Sequence, residues 1–227
     1  MQNKTQMVVF DMAGTTVNEN NLVYKTLQKA INKAGFEISL EEVLAEGAGK
    51  EKKQAIRSIL SVFAGVEDPA LTDRIYQSFI LQLTEAYKRE EVLPQNNAKE
   101  LFAALKERNI LTILNTGYDR TTAQSIIDKL GWKEGVEFDG LVTATDVDKN
   151  RPDPDMIVFA MQRFGITNSN NVVKVGDSTI DIEEGQNAGC GLNIGITTGA
   201  HTAEQLQTAN PDKIIDDLID LLPLLNY

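Results

Sequence analysis

Strand-like apolar runs alternate with helical patterns through most of the chain, and this alternation constrains the fold more than any other feature. The apolar runs are residues 7–10, 111–114, 141–144, 172–175 and 192–196. Helical patterns lie between the last four runs, near residues 120–130, 154–164 and 179–188. Such alternation is typical of a parallel sheet with helices on both faces. The sequence therefore predicts an α/β fold with a Rossmann-like, doubly wound parallel sheet.

The stretch from residue 18 to residue 92 breaks this alternation. Its apolar spacing predicts helices over 22–34, 50–63 and 71–89, and Ser39 and Glu42 form a capping-box pattern. Pro94 restricts the residue before it to an extended conformation, so 92–94 is predicted as the return to the sheet. We expect an α/β core domain from residues 1–17 and 93–227, with an inserted all-helical cap domain from residues 18–92.

Asp11 ends the first apolar run, where a buried strand gives way to a loop. Ligands of open α/β sheets bind at this edge, so the carboxylate is a candidate nucleophile or metal ligand. Two places on, Ala13 can offer only its backbone carbonyl. General acid catalysis of alkoxide departure is typically worth about 10²–10⁴-fold, and Ala13 cannot supply it. Efficient hydrolysis of an alkyl phosphate would then need another acid.

Two weaker candidates follow later apolar runs. Thr116 and Gly117 come after residues 111–114, where a hydroxyl and a flexible N–H could hold an anion. Arg151 follows residues 141–144 and precedes Pro154, which suits the first turn of a helix. Ordinary turn chemistry is the alternative for Thr116 and Gly117, and a solvated loop cation is the alternative for Arg151.

A stronger pattern follows the apolar run at residues 172–175. Asp177 and Asp181 are four residues apart around a predicted strand-to-helix turn, where both could face one oxygen-liganded cation. Mg²⁺ prefers one or two carboxylates, carbonyls, waters and substrate phosphate. The alternative for Asp181 is compensation of the helix dipole. An unpaired charge directly after a buried strand is costly, which makes a structural role harder to argue for Asp177.

These four sites, in this order along one sheet edge, resemble the motifs of the haloacid dehalogenase superfamily. That family has a strand-end Asp nucleophile, a Ser or Thr, a Lys or Arg, and an acidic pair after Gly. The chain is most similar to the phosphonatase (phosphonoacetaldehyde hydrolase) branch, because Ala13 replaces a second Asp and Arg151 replaces Lys. Residues 116–118 and 176–189 also resemble that branch.

The resemblance also implies a cap lysine that forms a Schiff base with the substrate aldehyde. Matching Gly49 and the pair at 56–57 to the family pattern places Lys52 on that lysine. Ala55 stands where the branch has a histidine, and Ala48 where it has a methionine. Lys50 and Lys53 flank the candidate, and their like charges are expected to lower its pKa. The alternative is a solvated lysine on a surface helix.

The resemblance therefore implies a hydrolase that cleaves the C–P bond of a 2-oxoalkylphosphonate such as phosphonoacetaldehyde. It implies a phosphoaspartate at Asp11 and a Schiff base at Lys52. The implied Mg²⁺ ligands are Asp11, the Ala13 carbonyl, Asp177 and, through water, Asp181; the implied phosphoryl-binding residues are Thr116, Gly117 and Arg151. One alternative is a phosphohydrolase of small phosphate esters or anhydrides without imine chemistry. Another is a catalytically silent binding protein.

Composition narrows the partners and the compartment. The formal net charge of −11 argues against nucleic acid and anionic membrane surfaces, and no apolar stretch approaches the length of a membrane span. Cys190 is the single cysteine, which favours a reducing cytoplasm. His201, the single histidine, is expected in a surface loop. The apolar face of 22–34 could pair with a second subunit in a homodimer or pack inside the cap.

Overall fold

The computed structural model of the chain describes residues 4–226. The strands are β1 Met7–Asp11, β2 Val17–Asn18, β3 Leu93–Pro94, β4 Leu111–Thr116, β5 Gly140–Thr143, β6 Val172–Gly176, β7 Leu192–Ile196 and β8 Lys213–Ile215. The α-helices are α1 Leu22–Lys33, α2 Leu40–Gly47, α3 Lys52–Ile59, α4 Pro69–Arg89, α5 Ala98–Glu107, α6 Arg120–Leu130, α7 Asp155–Arg163, α8 Thr179–Asn187 and α9 Ala203–Gln207. None of these helices is long and apolar enough to cross a membrane.

Six strands form one parallel sheet in the order β5-β4-β1-β6-β7-β8. Side chains of successive strand residues point to opposite faces, so the central strand β1 contributes to two cores. Met7 and Val9 pack in a cluster with helix α7, whereas Val8 and Phe10 pack in the larger cluster on the other face. The predicted α/β, doubly wound parallel fold is confirmed.

The chain between β2 and β3 is helical, as predicted. Strands β2 and β3 pair antiparallel, so the chain leaves and re-enters the sheet domain side by side. Between them α1 packs on α4 and α2 packs on α3, and the capping box of Ser39 and Glu42 is present. The apolar face of α1 is buried within the chain. This burial confirms the expectation that the face packs inside the helical segment. The homodimer and the domain boundaries stay predictions.

Some elements differ from the sequence-based expectation. The helix expected over 50–63 begins at Lys52, because Glu51 caps it by accepting hydrogen bonds from the N–H groups of Lys53 and Gln54. A π-helical segment, Leu60–Ala64, then continues α3. The edge strand β8 and helix α5 were not expected. Residues 48–51 thus form a loop between α2 and α3, and this loop reaches the sheet edge.

Candidate active site

The sheet order brings the predicted strand-end residues together. Asp11 ends β1, and its two neighbours in the sheet are β4, which ends at Thr116, and β6, which is followed by Asp177. All three side chains are buried, and the Thr116 hydroxyl accepts a hydrogen bond from the N–H of Tyr118 at 3.3 Å. Parallel strands therefore place a carboxylate, a hydroxyl and a second carboxylate at one edge.

Arg151 lies at the centre of this edge and is only 1% exposed, so the solvated-cation alternative is wrong. Its Nη1 lies 2.7 Å from Oδ1 of Asp11 and 2.9 Å from Oδ1 of Asp181. Its Nε donates to Glu184 at 2.9 Å, and its Nη2 donates to Asn115. Burial alone would lower the pKa of Arg151, but the surrounding carboxylates raise it well above the ordinary value.

Lys174 and Glu184 belong to the same cluster and were not singled out from the sequence. Nζ of Lys174 lies 3.1 Å from Asp181, 3.0 Å from Glu184 and 2.7 Å from Oδ1 of Asn115. Both charged residues are fully buried. A lysine in the middle of the apolar run at 172–175 was the available signal, because a buried charge in a strand requires a partner.

Among residues 4–226, no Lys, Arg or His side chain forms an ion pair with Asp177. Its Oδ1 accepts from the Thr15 hydroxyl at 3.2 Å, and its Oδ2 accepts from the N–H of Ala200 at 2.6 Å. Burial raises the pKa of Asp177 well above the ordinary value, and repulsion from Asp11 and Asp181 raises it further. An extra positive charge at this carboxylate would relieve both costs.

The carboxylate of Asp177 lies tightly against the loop that follows Asp11. A Cβ added at Gly14 would lie 2.3 Å from its Oδ2, and one added at Gly199 would lie 2.0 Å from it. Gly14 also has a φ of +90°, which other residues rarely adopt. Only glycine at these two positions therefore allows the backbone to approach the Asp177 carboxylate this closely.

The donors around Asp11 fit a hard divalent cation. The buried acidic cluster is defined by four carboxylates, Asp11, Asp177, Asp181 and Glu184. All of them except Asp177 form ion pairs with Arg151 or Lys174. When all are ionised, the cluster carries an excess of negative charge that Mg²⁺ would balance. Within residues 4–226, no three His, Cys, Asp or Glu side chains are grouped as a ready metal site. Two carboxylates and a backbone carbonyl, completed by water and substrate oxygens, remain a suitable set.

Asp181 makes contacts of its own within this cluster. Its Oδ2 accepts from the Ser178 hydroxyl at 2.5 Å, and its Oδ1 faces Arg151 and Lys174. Burial opposes its ionisation, but these two cations together lower the pKa of Asp181. By contrast, burial raises the pKa of Asp11 to about 6 against the opposing charge of Arg151. Asp181 therefore suits the support of a cation through water better than direct coordination.

The loop at 48–51 reaches this edge from the helical side. The carbonyl of Gly49 lies 3.3 Å from Nη1 of Arg151, and the N–H of Gly49 donates to the Tyr24 hydroxyl at 3.0 Å. A Cβ added at Gly117 would lie 2.7 Å from the Lys50 carbonyl oxygen. The helical segment and the sheet edge therefore meet through backbone contacts at Gly49 and Gly117.

Lys52, the first residue of α3, is buried beside this contact. It is 5% exposed, so the solvated-lysine alternative is wrong. Its Nζ donates to the Lys50 carbonyl at 2.7 Å and lies 5.5 and 5.2 Å from the ring centres of Tyr24 and Tyr118. Burial lowers the pKa of Lys52, while the negative charge of Asp11 opposes this effect.

The reason given from the sequence for the low pKa of Lys52 is wrong. Lys50 forms an ion pair with Glu46 at 2.5 Å, and Lys53 forms one with Asp73 at 2.8 Å. Each flanking lysine therefore has its own counter-charge. Desolvation is the main cause of the lowered pKa of Lys52, and the like charge that contributes is Arg151.

The prediction for His201 is also wrong. It is 6% exposed, its Nδ1 accepts from the N–H of Thr179 at 3.1 Å, and its Nε2 lies 3.2 Å from the Leu44 carbonyl. The imidazole thus links the start of α8 to α2. A single histidine in a Gly-rich stretch carried no sequence signal of this burial.

A cavity of about 220 Å³ adjoins Lys52. Its lining includes Lys52, Gly117 and Tyr118, together with apolar side chains of α4. Asp11 is not part of the lining. The cavity can therefore hold a small molecule beside the Lys52 amine.

Comparison with known proteins gives consistent matches. The model of the family described as haloacid dehalogenase-like hydrolase matches residues 8–194. Phosphonoacetaldehyde hydrolase of Bacillus cereus is 33% identical over 213 residues, which cover 87% of this chain and 77% of that protein.

Two solved structures share the fold. A phosphonoacetaldehyde hydrolase-like protein from Oleispira antarctica matches with a TM-score of 0.83 at 22% identity, over 98% of this chain and 92% of that chain. A predicted phosphoglycolate phosphatase from Haemophilus somnus matches with a TM-score of 0.79 at 22% identity, over 99% and 98%. Since the family model matches most of the sequence, this chain belongs to the haloacid dehalogenase-like hydrolase family, in its phosphonatase-like branch, and the resemblance drawn from its motifs is confirmed.

Proposed function

We propose that this hydrolase cleaves the C–P bond of a 2-oxoalkylphosphonate, most simply phosphonoacetaldehyde. The observation that carries the proposal is the buried amine of Lys52, which adjoins a small cavity next to the sheet edge of Asp11. Hydrolysis of a phosphate ester requires no amine nucleophile, whereas an aldehyde substrate can react with one. The name of the Bacillus cereus relative supports the same substrate class.

In the proposed reaction the neutral amine of Lys52 attacks the aldehyde carbon, and loss of water leaves a protonated imine. The imine lies on the carbon next to the one bonded to phosphorus. When the C–P bond breaks, its electron pair can move into the new C=C bond of an enamine instead of forming a carbanion. Protonation of the enamine carbon and hydrolysis of the imine then release acetaldehyde and free Lys52.

Asp11 is the proposed nucleophile toward phosphorus and is transiently phosphorylated. Arg151 holds its carboxylate in place at 2.7 Å, and the phosphonate oxygens would take over part of this guanidinium contact on binding. The Thr116 hydroxyl and the Gly117 N–H would hold the remaining oxygens. Water then attacks the phosphoaspartate and releases inorganic phosphate.

Mg²⁺ is the proposed cofactor. Asp11, the Ala13 carbonyl and Asp177 would hold it, with Asp181 supporting through water. When bound, it would supply positive charge that offsets repulsion between the Asp11 carboxylate and the phosphonate. Ala13 fits the proposed chemistry, because an enamine leaving group requires no acid two residues after the nucleophile.

Trapping of the imine tests the proposal. Borohydride added with phosphonoacetaldehyde should reduce the imine and label Lys52, as identified by peptide mass spectrometry. Lys52→Arg should lose both labelling and release of acetaldehyde, and Lys53→Arg, at a half-buried neighbour with its own ion pair, should keep both. Turnover with no labelling at any lysine of the helical segment would falsify the imine route.

A phosphohydrolase without imine chemistry is the second candidate. The hydrogen bond of the Lys52 amine to its neighbouring carbonyl favours it, because that amine then serves to hold the 48–51 loop. This candidate requires good leaving groups, such as activated esters or anhydrides. Release of phosphate from these substrates, unaffected by Lys52→Arg and accompanied by no cleavage of phosphonoacetaldehyde, would establish it.

A further inference from the structure

Glu19 is a carboxyl group buried where the chain enters the helical segment. It is 5% exposed, and its Oε1 accepts a hydrogen bond from the N–H of Val23 at 3.3 Å. Its Oε2 accepts a short hydrogen bond from the hydroxyl of Tyr87 on α4. Both partners are neutral, so neither compensates a negative charge, and a buried carboxylate in such a place is costly.

Tyr87 connects Glu19 to the cavity beside Lys52. The hydroxyl oxygens of Tyr87 and Tyr118 are 3.1 Å apart, and Tyr118 and Lys52 both line the cavity. Because Tyr87 donates its proton to Glu19, its oxygen accepts the proton of Tyr118. A chain of hydrogen bonds thus leads from the cavity wall to the Glu19 carboxylate.

The other acids near the cavity are committed to structural contacts. Both oxygens of Glu51 accept N–H groups at the start of α3. The oxygens of Asp119 bind the backbone and hydroxyl of Thr122 at the start of α6. Asp11 forms its ion pair with Arg151. Of these carboxyl groups, Glu19 is the one whose hydrogen bonds lead into the cavity.

We propose that Glu19 acts through Tyr87 and Tyr118 as the proton donor and acceptor for imine formation at Lys52, an inference that rests on the proposed function. Formation of a protonated imine from a neutral amine and an aldehyde consumes one proton and releases one water. Glu19 passes its proton to the Tyr87 oxygen, Tyr87 passes its own to Tyr118, and Tyr118 protonates the carbinolamine hydroxyl. The C–O bond breaks with its electrons on the departing water, and the nitrogen lone pair forms the C=N bond.

The relay runs in reverse when the imine is hydrolysed, so Glu19 ends each turnover protonated. It is a positioning residue, because it reaches the reacting atoms only through the two tyrosines. The chain has Ala55 where the resembling branch has a histidine, and it keeps no other histidine than His201. The relay would supply the general acid that such a site otherwise lacks, a contribution typically worth about 10²–10⁴-fold.

The charge state of Glu19 suits this task. Burial raises its pKa to about 7, and the hydrogen bond from Tyr87 opposes part of that effect. The titratable groups that face it are Asp11 on β1, Tyr24 on α1, Lys52 on α3, Tyr87 on α4 and Tyr118 after β4. Below about pH 7 the proton is present and above it the proton is lost, so the acceleration that the relay gives to imine formation should be lost as pH rises through this value.

The test measures the rate of borohydride labelling at Lys52 by phosphonoacetaldehyde, on the whole chain with Mg²⁺, across the neutral pH range. Below pH 7, Glu19→Gln and Tyr87→Phe should each be labelled roughly 10²-fold more slowly than the parent, and this difference should shrink as pH rises through about 7. The control is Glu85→Gln, an exposed carboxylate on the same helix as Tyr87 that pairs with Lys88. It should keep both the rate and the pH profile.

The outcomes separate the relay from the function on which it rests. If Lys52 of the parent is labelled and both variants behave like Glu85→Gln, the relay is wrong and the proposed function stands. If the parent is never labelled, the proposed function is overturned and the relay with it. Should Glu19→Gln unfold, as judged by circular dichroism, Tyr87→Phe decides, because it removes one hydroxyl and keeps the buried ring.

Discussion

At the scale of single residues, burial sets the reactivity of Lys52. A buried amine favours its neutral form, so the pKa of Lys52 lies below the ordinary value of 10.5. The neutral, nucleophilic fraction therefore grows as pH rises through this lowered pKa. Competitive acetylation at a series of pH values, read by mass spectrometry, gives the pH at which half of each amine is reactive. This midpoint should be lower for Lys52 than for the free ε-amine of Nα-acetyl-lysine in the same reaction. A midpoint equal to that of the free reference would contradict the desolvation argument.

Gly117 is the second residue whose chemistry follows from its surroundings. A methyl group there would lie 2.7 Å from the Lys50 carbonyl oxygen, so Gly117→Ala must push the 48–51 loop away from the sheet edge. Misplacement by about 1 Å can cost about 10²-fold, and we expect kcat/KM for phosphonoacetaldehyde to fall by roughly 10- to 10²-fold.

The control for Gly117→Ala is Gly195→Ala in β7. The nearest atom to a Cβ at Gly195 is the end of the Leu206 side chain, 3.3 Å away, which can shift. This variant should stay within about twofold of the parent, because the Leu206 side chain can make room for the methyl group without moving the 48–51 loop. Equal losses in both variants would trace the effect to the fold of the sheet.

At the scale of elements, the ends of β1 and β6 create repulsion that a cation should relieve. Mg²⁺ at about 100 times its Kd should raise the free energy of unfolding by about 2.7 kcal/mol. Asp177→Asn should lose this stabilisation, and in EDTA it should be at least as stable as the parent, because one repelling charge is gone. The measurement is urea unfolding with and without Mg²⁺.

The matched control for Asp177→Asn is Glu183→Gln, which neutralises an exposed carboxylate on α8 next to the buried Glu184. It should keep the full response to Mg²⁺. If Asp177→Asn keeps it as well, the cation is bound elsewhere and the proposed ligand set is wrong.

The strands and helices of the core followed from sequence because their signals are local. Helix α6 and strand β7 have the predicted bounds, since apolar periodicity and the Asp119 cap act within one segment. The buried partners of Arg151 did not follow. Glu184 reaches Arg151 from α8, and Lys174 reaches Glu184 from β6, and only the fold brings these elements together. The spacing of residues along the chain gives no information about contacts between such distant elements.

At the scale of the whole molecule, the sequence predicted that the sheet domain carries Asp11 and the helical segment carries Lys52. It did not predict how the sheet domain and the helical segment contact each other. The contact depends on the 48–51 loop, in which Gly49 has a φ of +71°. A Cβ added at Gly49 would lie 2.4 Å from the Ser178 hydroxyl. This approach is set by shape over a long sequence separation, so no local pattern encodes it. Glu19 escaped notice for the same reason, as its partner Tyr87 is on α4.

The chain passes twice between the sheet domain and the helical segment, once at β2 and once at β3. Val17 pairs with Pro94, and the N–H of Gln95 donates to the Thr16 carbonyl at 2.9 Å. We propose that residues 16–19 and 92–95 act as hinges, so that the helical segment opens to admit substrate and closes to bring Lys52 and Asp11 onto it. Closure excludes water from the imine and aligns the nucleophile with phosphorus, a positioning effect worth several kcal/mol.

Pro94→Gly tests the hinge, because it frees a backbone that proline holds extended beside β2. We expect kcat and KM for phosphonoacetaldehyde to change together, while the urea midpoint of the core changes little. Pro211→Gly is the control, since Pro211 lies in the loop before β8, far along the sheet from both crossings. X-ray scattering should show the parent become more compact on binding a phosphate analogue. If Pro94→Gly matches the parent in both kinetic parameters and scattering shows no compaction, the closing motion is wrong.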